Sequence, residues 1–163
     1  MSAFFTADQI TALSETVVRV ALPVQFDFAS ETKYAWNGNT EIELGGNSPP
    51  HTYLPMYGFG QIDGLGVGGG EQSEAVTLSL DGLPDQNLDI LASALAETGE
   101  VDQQLLTISL QLFDDDWQAV GVPIGLFRGF MQPPNVARTA GTETDGGTQS
   151  ITLDAENIFY GRA

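Results

Sequence analysis

Two stretches of strict alternation set the period of this chain. Val18, Val20, Leu22, Val24, Phe26 and Phe28 occupy every second position, separated by Arg19, Ala21, Pro23, Gln25 and Asp27. Leu106, Ile108, Leu110 and Leu112 repeat the pattern further on. A period of two puts all the apolar side chains of a segment on one face of a strand, so each stretch predicts a half-buried β-strand. Pro23 has no N–H to give to a ladder, which places the first strand on an edge or marks a bulge there.

The rest of the chain extends this reading. Nineteen glycines and eight prolines in 163 residues punctuate short apolar runs, a pattern of many strands joined by turns. Val76, Leu78 and Leu80 form a strand, and Trp117 to Met131 forms another, broken or bent at Pro123. Ser150 to Leu153 is a late strand, and a short element continues through Tyr160. Asn37-Gly38 between Lys33–Trp36 and Glu41–Leu44 predicts a two-residue hairpin of type I′. Tyr34 and Trp36 share one face of it, as do Ile42 and Leu44. Gly45 to Pro55 reads as a loop anchored by Tyr53 and Leu54. Thr6-Ala-Asp-Gln9 matches a capping box opening a helix of about two turns through Leu13. Asp85 to Ala96 predicts a second helix, with Leu88, Ile90, Leu91 and Leu95 toward the sheet.

The expectation is a mainly β protein, a β-sandwich or small β-barrel with one or two short α-helices. Residues 1–16 form an N-terminal arm with a short helix, and residues 17–163 form one β-rich domain. The hydrophobic share of 42% and the charged share of 17% suit a packed core rather than a disordered chain.

Charge excludes several functions. Twenty-two acids against five bases give a net charge of -17, and the bases Arg19, Lys33, Arg128, Arg138 and Arg162 are scattered. General nucleic-acid binding needs clustered cations to displace counterions from phosphates, and anionic membranes make the same demand. With no cysteine, disulfides, thiolate nucleophiles and Cys-ligated metal centres are ruled out. No run approaches the roughly 18 apolar residues that would cross a bilayer as a helix. The first residues have neither a basic nor a long apolar region, so no signal peptide is expected. The protein is expected to stay in the cytoplasm until it assembles.

No constellation points to catalysis. Gly64-Leu-Gly-Val-Gly-Gly69 matches a dinucleotide pattern by letter, but a strand follows it where a helix is needed. Asp114-Asp-Asp116 lacks the glycine and glutamate of a calcium loop and reads as a solvated turn. His51, the sole histidine, has no Gly-x-Ser-x-Gly elbow to serve, and no carboxylate pair stands out among the acids. No cofactor and no metal are expected. Arg128, within Leu126-Phe-Arg-Gly-Phe130, and Arg162, within Phe159-Tyr-Gly-Arg162, are cations in apolar runs, which marks them for a structural ion pair or a subunit interface. Trp36 and Tyr53, with Tyr34 and Tyr57, are candidate aromatic contacts for a ligand, against a packing role.

Three blocks carry a resemblance: Val-Thr-Leu-Ser-Leu-Asp-Gly-Leu-Pro (76–84), Val-Gly-Val-Pro-Ile-Gly-Leu-Phe-Arg-Gly-Phe-Met (120–131) and Ile-Thr-Leu-Asp-Ala-Glu (151–156). With Trp36-Asn-Gly and Tyr53-Leu-Pro55, they are similar to tail-tip and baseplate proteins of tailed bacteriophages, such as the hub or distal-tail proteins of siphophages and gene transfer agents. The larger hubs continue into further domains, some with cysteines, which this sequence lacks.

The resemblance implies a non-enzymatic structural protein of the virion tail. It would form a homo-oligomeric ring, trimer or hexamer, that links the tail tube to distal tail proteins, with some acids lining a DNA channel. It carries over no functional residue. Two alternatives stay open: a carbohydrate-binding β-sandwich module, and another tail structural protein such as a tube or terminator protein. An acidic hydrolase is disfavoured by the lack of an activated nucleophile or base. Any specific contact is expected from loops 45–72 and 132–149.

Overall fold

The structure is a computed structural model and describes residues 4–45, 50–56, 60–65, 75–81, 98–139 and 148–158. It is mainly β. In chain order the described elements are α1 (Ala7–Leu13), β1 (Arg19–Ala21), β2 (Pro23–Asp27), β3 (Thr32–Trp36), β4 (Ile42–Leu44), β5 (His51–Pro55), β6 (Gly60–Asp63) and β7 (Ala75–Asp81). They continue with α2 (Thr98–Val101), β8 (Leu105–Phe113), β9 (Ala119–Met131), β10 (Asn135–Thr139) and β11 (Thr148–Asn157).

All eleven strands belong to one mixed sheet. Its order is β4-β5-β3-β2-β8-β9-β11-β7-β6, with β1 beside β8 and β10 beside β11. The pairs are antiparallel except β3 with β5. The sheet folds over itself, because a single core draws on both of its halves. Val24, Phe26, Leu106 and Ile108 come from one half, and Val76, Leu78, Ile151 and Leu153 from the other. These side chains occupy alternate positions of β2, β8, β7 and β11, as the period of two requires. Each fully buried aliphatic or aromatic side chain stabilises by roughly 1.5–3 kcal/mol. A second, smaller cluster lies on the reverse face and contains Ala21, Leu44, Tyr53 and Phe113, with Tyr34, Trp36 and Ile42 packed on it.

The two halves meet along a narrow seam. Only Gly129, Phe130 and Met131 of β9 pair with β11, opposite Asn157, Glu156 and Ala155. Two further backbone bonds flank it, Gln132 N–H to Asp154 O at 2.8 Å and Ile158 N–H to Arg128 O at 3.2 Å.

Several expectations change. The strand over 18–28 is divided at Leu22 into β1 and β2, with one register against β8 on either side: Ala21 faces Gln111 and Val24 faces Ile108. The Leu22 N–H leaves the ladder and donates to Asn37 Oδ1 at 2.9 Å. Pro23 opens β2 just after this break, and the unchanged register shows no bulge. The edge placement is corrected too, since β2 lies between β3 and β8.

The Asn37-Gly38 hairpin is corrected too. β3 and β4 do not pair; β5 runs between them, parallel to β3 and antiparallel to β4. Asn37 and Gly38 are not in the positive-φ region that a type I′ turn needs. Instead the segment wraps the Trp36 indole. Trp36 Nε1 donates to the Thr40 carbonyl at 2.7 Å, and any Cβ on Gly38 would collide with the ring.

Residues 51–55, expected as loop, form β5, whose parallel run ends with Met56 N–H on Trp36 O at 2.8 Å. Residues 60–63 form β6 and residues 135–139 form β10. The helix expected over 85–96 lies outside the described residues.

Candidate functional site

The N-terminal helix forms as its sequence prescribes. Thr6 caps α1, and the Gln9 side chain answers by accepting from the Thr6 N–H at 2.9 Å. The same amide docks the helix: Gln9 Nε2 donates to the Val122 carbonyl of β9 at 3.1 Å. The residue beneath it, Gly121, sits at φ +67°, and a Cβ there would lie 3.0 Å from Gln9 Nε2.

The result is a helix with its polarity inverted. The buried residue of α1 is Gln9, 3% exposed, while Ile10 is 51% exposed and Leu13 also faces solvent. A surface helix normally turns its apolar stripe toward the core.

The neighbouring elements share the feature. Phe4 of the arm, Val17 and Val18 between α1 and β1, and Val20 of β1 are exposed. Trp117, at the tip of the β8–β9 hairpin, is 61% exposed, and Val122 and Leu126 on β9 are exposed as well. Every exposed large hydrophobic residue among the described residues therefore lies within residues 4–20 or 117–126. These elements adjoin, since α1 packs on β8 and β9 and β1 pairs with β8.

The hairpin tip is built to present Trp117. Asp114 Oδ1 accepts the N–H groups of Asp116 (3.0 Å) and Gln118 (2.8 Å), closing the turn. Trp117 itself lies at φ +59°, a region that costs a non-glycine residue on the order of 1–3 kcal/mol. Its ring packs on Phe113 at 5.7 Å, and the Arg19 guanidinium stands 6.0 Å over it while pairing with Asp115. Between helix and hairpin lies a cleft of about 260 Å³ whose lining includes Asp8, Glu15, Arg19, Phe113, Asp115 and Val120. Among the described residues, no group of three or more acids and histidines is placed to hold a metal ion.

The residues singled out from sequence are dispersed. Arg128 is exposed on β9, opposite Thr107 of β8. No carboxylate pairs with it among the described residues, whereas Arg19 pairs with Asp115 and Lys33 with Glu31. Arg162 and Tyr57 lie outside the described residues, as do residues 46–49, 57–59 and 66–72 of loop 45–72 and residues 140–147 of loop 132–149.

Trp36 and Tyr53 come together, but in the reverse-face cluster, where Tyr53 is 8% exposed and Trp36 half-buried. The Tyr53 ring is too buried to be a sugar platform, while the half-buried Trp36 ring packs beside it. His51 stacks on Tyr34 with centroids 4.4 Å apart, and Tyr34 meets Tyr53 edge-on at 5.2 Å. Burial raises the Tyr53 hydroxyl above its ordinary 10.0, with Tyr34 adding to it; burial and then the Asp27 charge raise Tyr34. Both phenols therefore stay neutral at physiological pH and act as packing groups.

Sequence reading missed the inverted helix and the bare strand. A signal for each was present. In α1 the capping residue Gln9 shares the helix with Ile10 and Leu13 and takes the buried place. In Ala119–Phe127 no residue is charged, the composition of a strand covered on both faces.

Compared with known proteins, the chain matches no protein-family model, and no curated protein matches it.

Proposed function

We propose that this chain is a structural protein of a bacteriophage tail, at the tail tip or in the distal tail. It assembles as a ring, trimer or hexamer, between the tail tube and the distal tail proteins. Its work is assembly rather than catalysis. The observation that carries this reading is that all the exposed large hydrophobics of the described residues lie on adjoining elements, within residues 4–20 and 117–126, and large exposed apolar areas mark interaction sites.

The resemblance noted in the sequence supports it in a specific way. Its three main blocks, far apart in the chain, fall on β7, β9 and β11, which are consecutive in the sheet order β9-β11-β7. The net charge of -17 fits a part that lets DNA pass without holding it.

Deleting the coding sequence tests the proposal. Particles made without the protein should be tailless or carry defective tails and fail to infect, and supplying the chain in trans should restore them. Normal infectivity without it would refute a tail role.

A further inference from the structure

We infer that the outer face of β9, together with α1 and the hairpin tip, is where a second copy of this chain docks. The inference deepens the assembly reading and rests on it, but it names the surface and the partner.

Area is the first argument. With large side chains offering on the order of 150 Å² each, the exposed fractions of all nine residues, those of the arm and β1 beside this face included, leave on the order of 700 Å² of side chain. A standard stable interface takes about 800 Å² from each partner.

Charge is the second. Arg128 stands on β9 between exposed Leu126 and half-buried Phe130. Among the described residues whose side chains are placed, it is the base without a carboxylate, in a chain that holds 22 acids. A guanidinium in an apolar frame favours a partner that brings carboxylates with its apolar surface. A second copy brings both.

Construction is the third. The Trp117 backbone is held in the left-handed region at a tight turn, and Gln9 spends the buried side of α1 on a carbonyl, so Ile10 and Leu13 point outward. Strained backbone and broken local rules of this kind cluster at functional sites.

Sedimentation velocity on the full chain decides it, with circular dichroism to confirm that each variant is folded. The wild-type chain should associate at micromolar concentration. Val122→Asp and Trp117→Ser, at exposed positions, should each weaken association at least about tenfold, as central interface residues do. Arg128→Glu should weaken it too, while Gln61→Ala on the distant β6 should leave it unchanged. A folded wild-type chain that stays monomeric overturns the inference even if the deletion phenotype holds, leaving a tail protein that meets only other proteins. Association that all three interface variants retain also overturns it, since the rings would then form through another face.

Discussion

Replacing Gln111 by glutamate should cost about 3–5 kcal/mol at neutral pH, the scale of an uncompensated buried charge. Gln111 is fully buried on β8, opposite Ala21, where the β8–β9 register shifts between Leu110 and Leu112. Its Nε2 donates to the Leu112 carbonyl at 2.8 Å and the Val120 carbonyl at 3.4 Å, while its Oε1 has no donor. A carboxylate there would face two carbonyl oxygens in a fully buried site.

The same environment gives the pH dependence. Burial disfavours the charged form, so the new carboxyl titrates above its unfolded value of roughly 4.3. Below that value both states hold the proton and the penalty vanishes. It grows as pH rises past it and is complete above the raised folded pKa. Urea denaturation of variant and wild type at pH 7 and near pH 4 should show the gap closing in acid. Gln111→Met keeps the volume and adds no charge, so its cost should stay within about 1–2 kcal/mol at either pH. An equal loss for both variants would show that the amide's contacts, not charge burial, set the effect.

Gly129→Ala is the second large effect. A Cβ at Gly129 would clash with the Glu156 carbonyl oxygen of β11 and lie 2.6 Å from Cζ of Phe127. The carbonyl is backbone and cannot rotate aside. Overfilling of this kind typically costs about 1–3 kcal/mol, and the position argues for the upper end. Gly129 belongs to the three-residue seam that joins the halves of the sheet, so relief means parting β9 from β11. Amide exchange should locate the damage: the Gln132 and Ile158 amides that flank the seam should lose protection, while the β2–β8 ladder keeps it. Uniform loss across the sheet would mean that the seam is not a separable element.

Both effects rest on features that local sequence does not display. Gln111 falls between Leu110 and Leu112, at a position that alternation turns away from the apolar face, yet it is fully buried where the β8–β9 register shifts. Gly129 reads as one more glycine in a strand until β11 approaches it.

What was legible is what depends on neighbours in the chain. The capping box from Thr6 to Gln9 placed α1 through Leu13. Alternation found β8 and the core face of β2, and Asp114–Asp116 marked the β8–β9 turn. Pairing was not legible where the partner comes from elsewhere. Asn37-Gly38 carried the letters of a hairpin, but β5 intervened, because the Trp36 indole and its bond to Thr40 held the segment in another shape. Pro23 could enter a central strand because it stands first in β2, just after the break at Leu22.

The candidate site follows the same division. Arg128 stands in an apolar run of the sequence, and the structure leaves it an exposed cation beside exposed Leu126. The rings of Trp36 and Tyr53 stand out in the sequence, but their degree of burial comes from the cluster they join, which no local pattern displays. Val122, Leu126 and Trp117 drew no attention, since an apolar strand reads as core until its cover is found missing.

The most direct measurement of the central claim is quantitative mass spectrometry of purified phage particles from the host that encodes this chain, with gold-labelled antibody to locate it. The chain should be present at a fixed multiple of three copies per particle, with label confined to one place on the tail. Its absence from intact particles, with the whole pool left in the soluble lysate, would contradict the account.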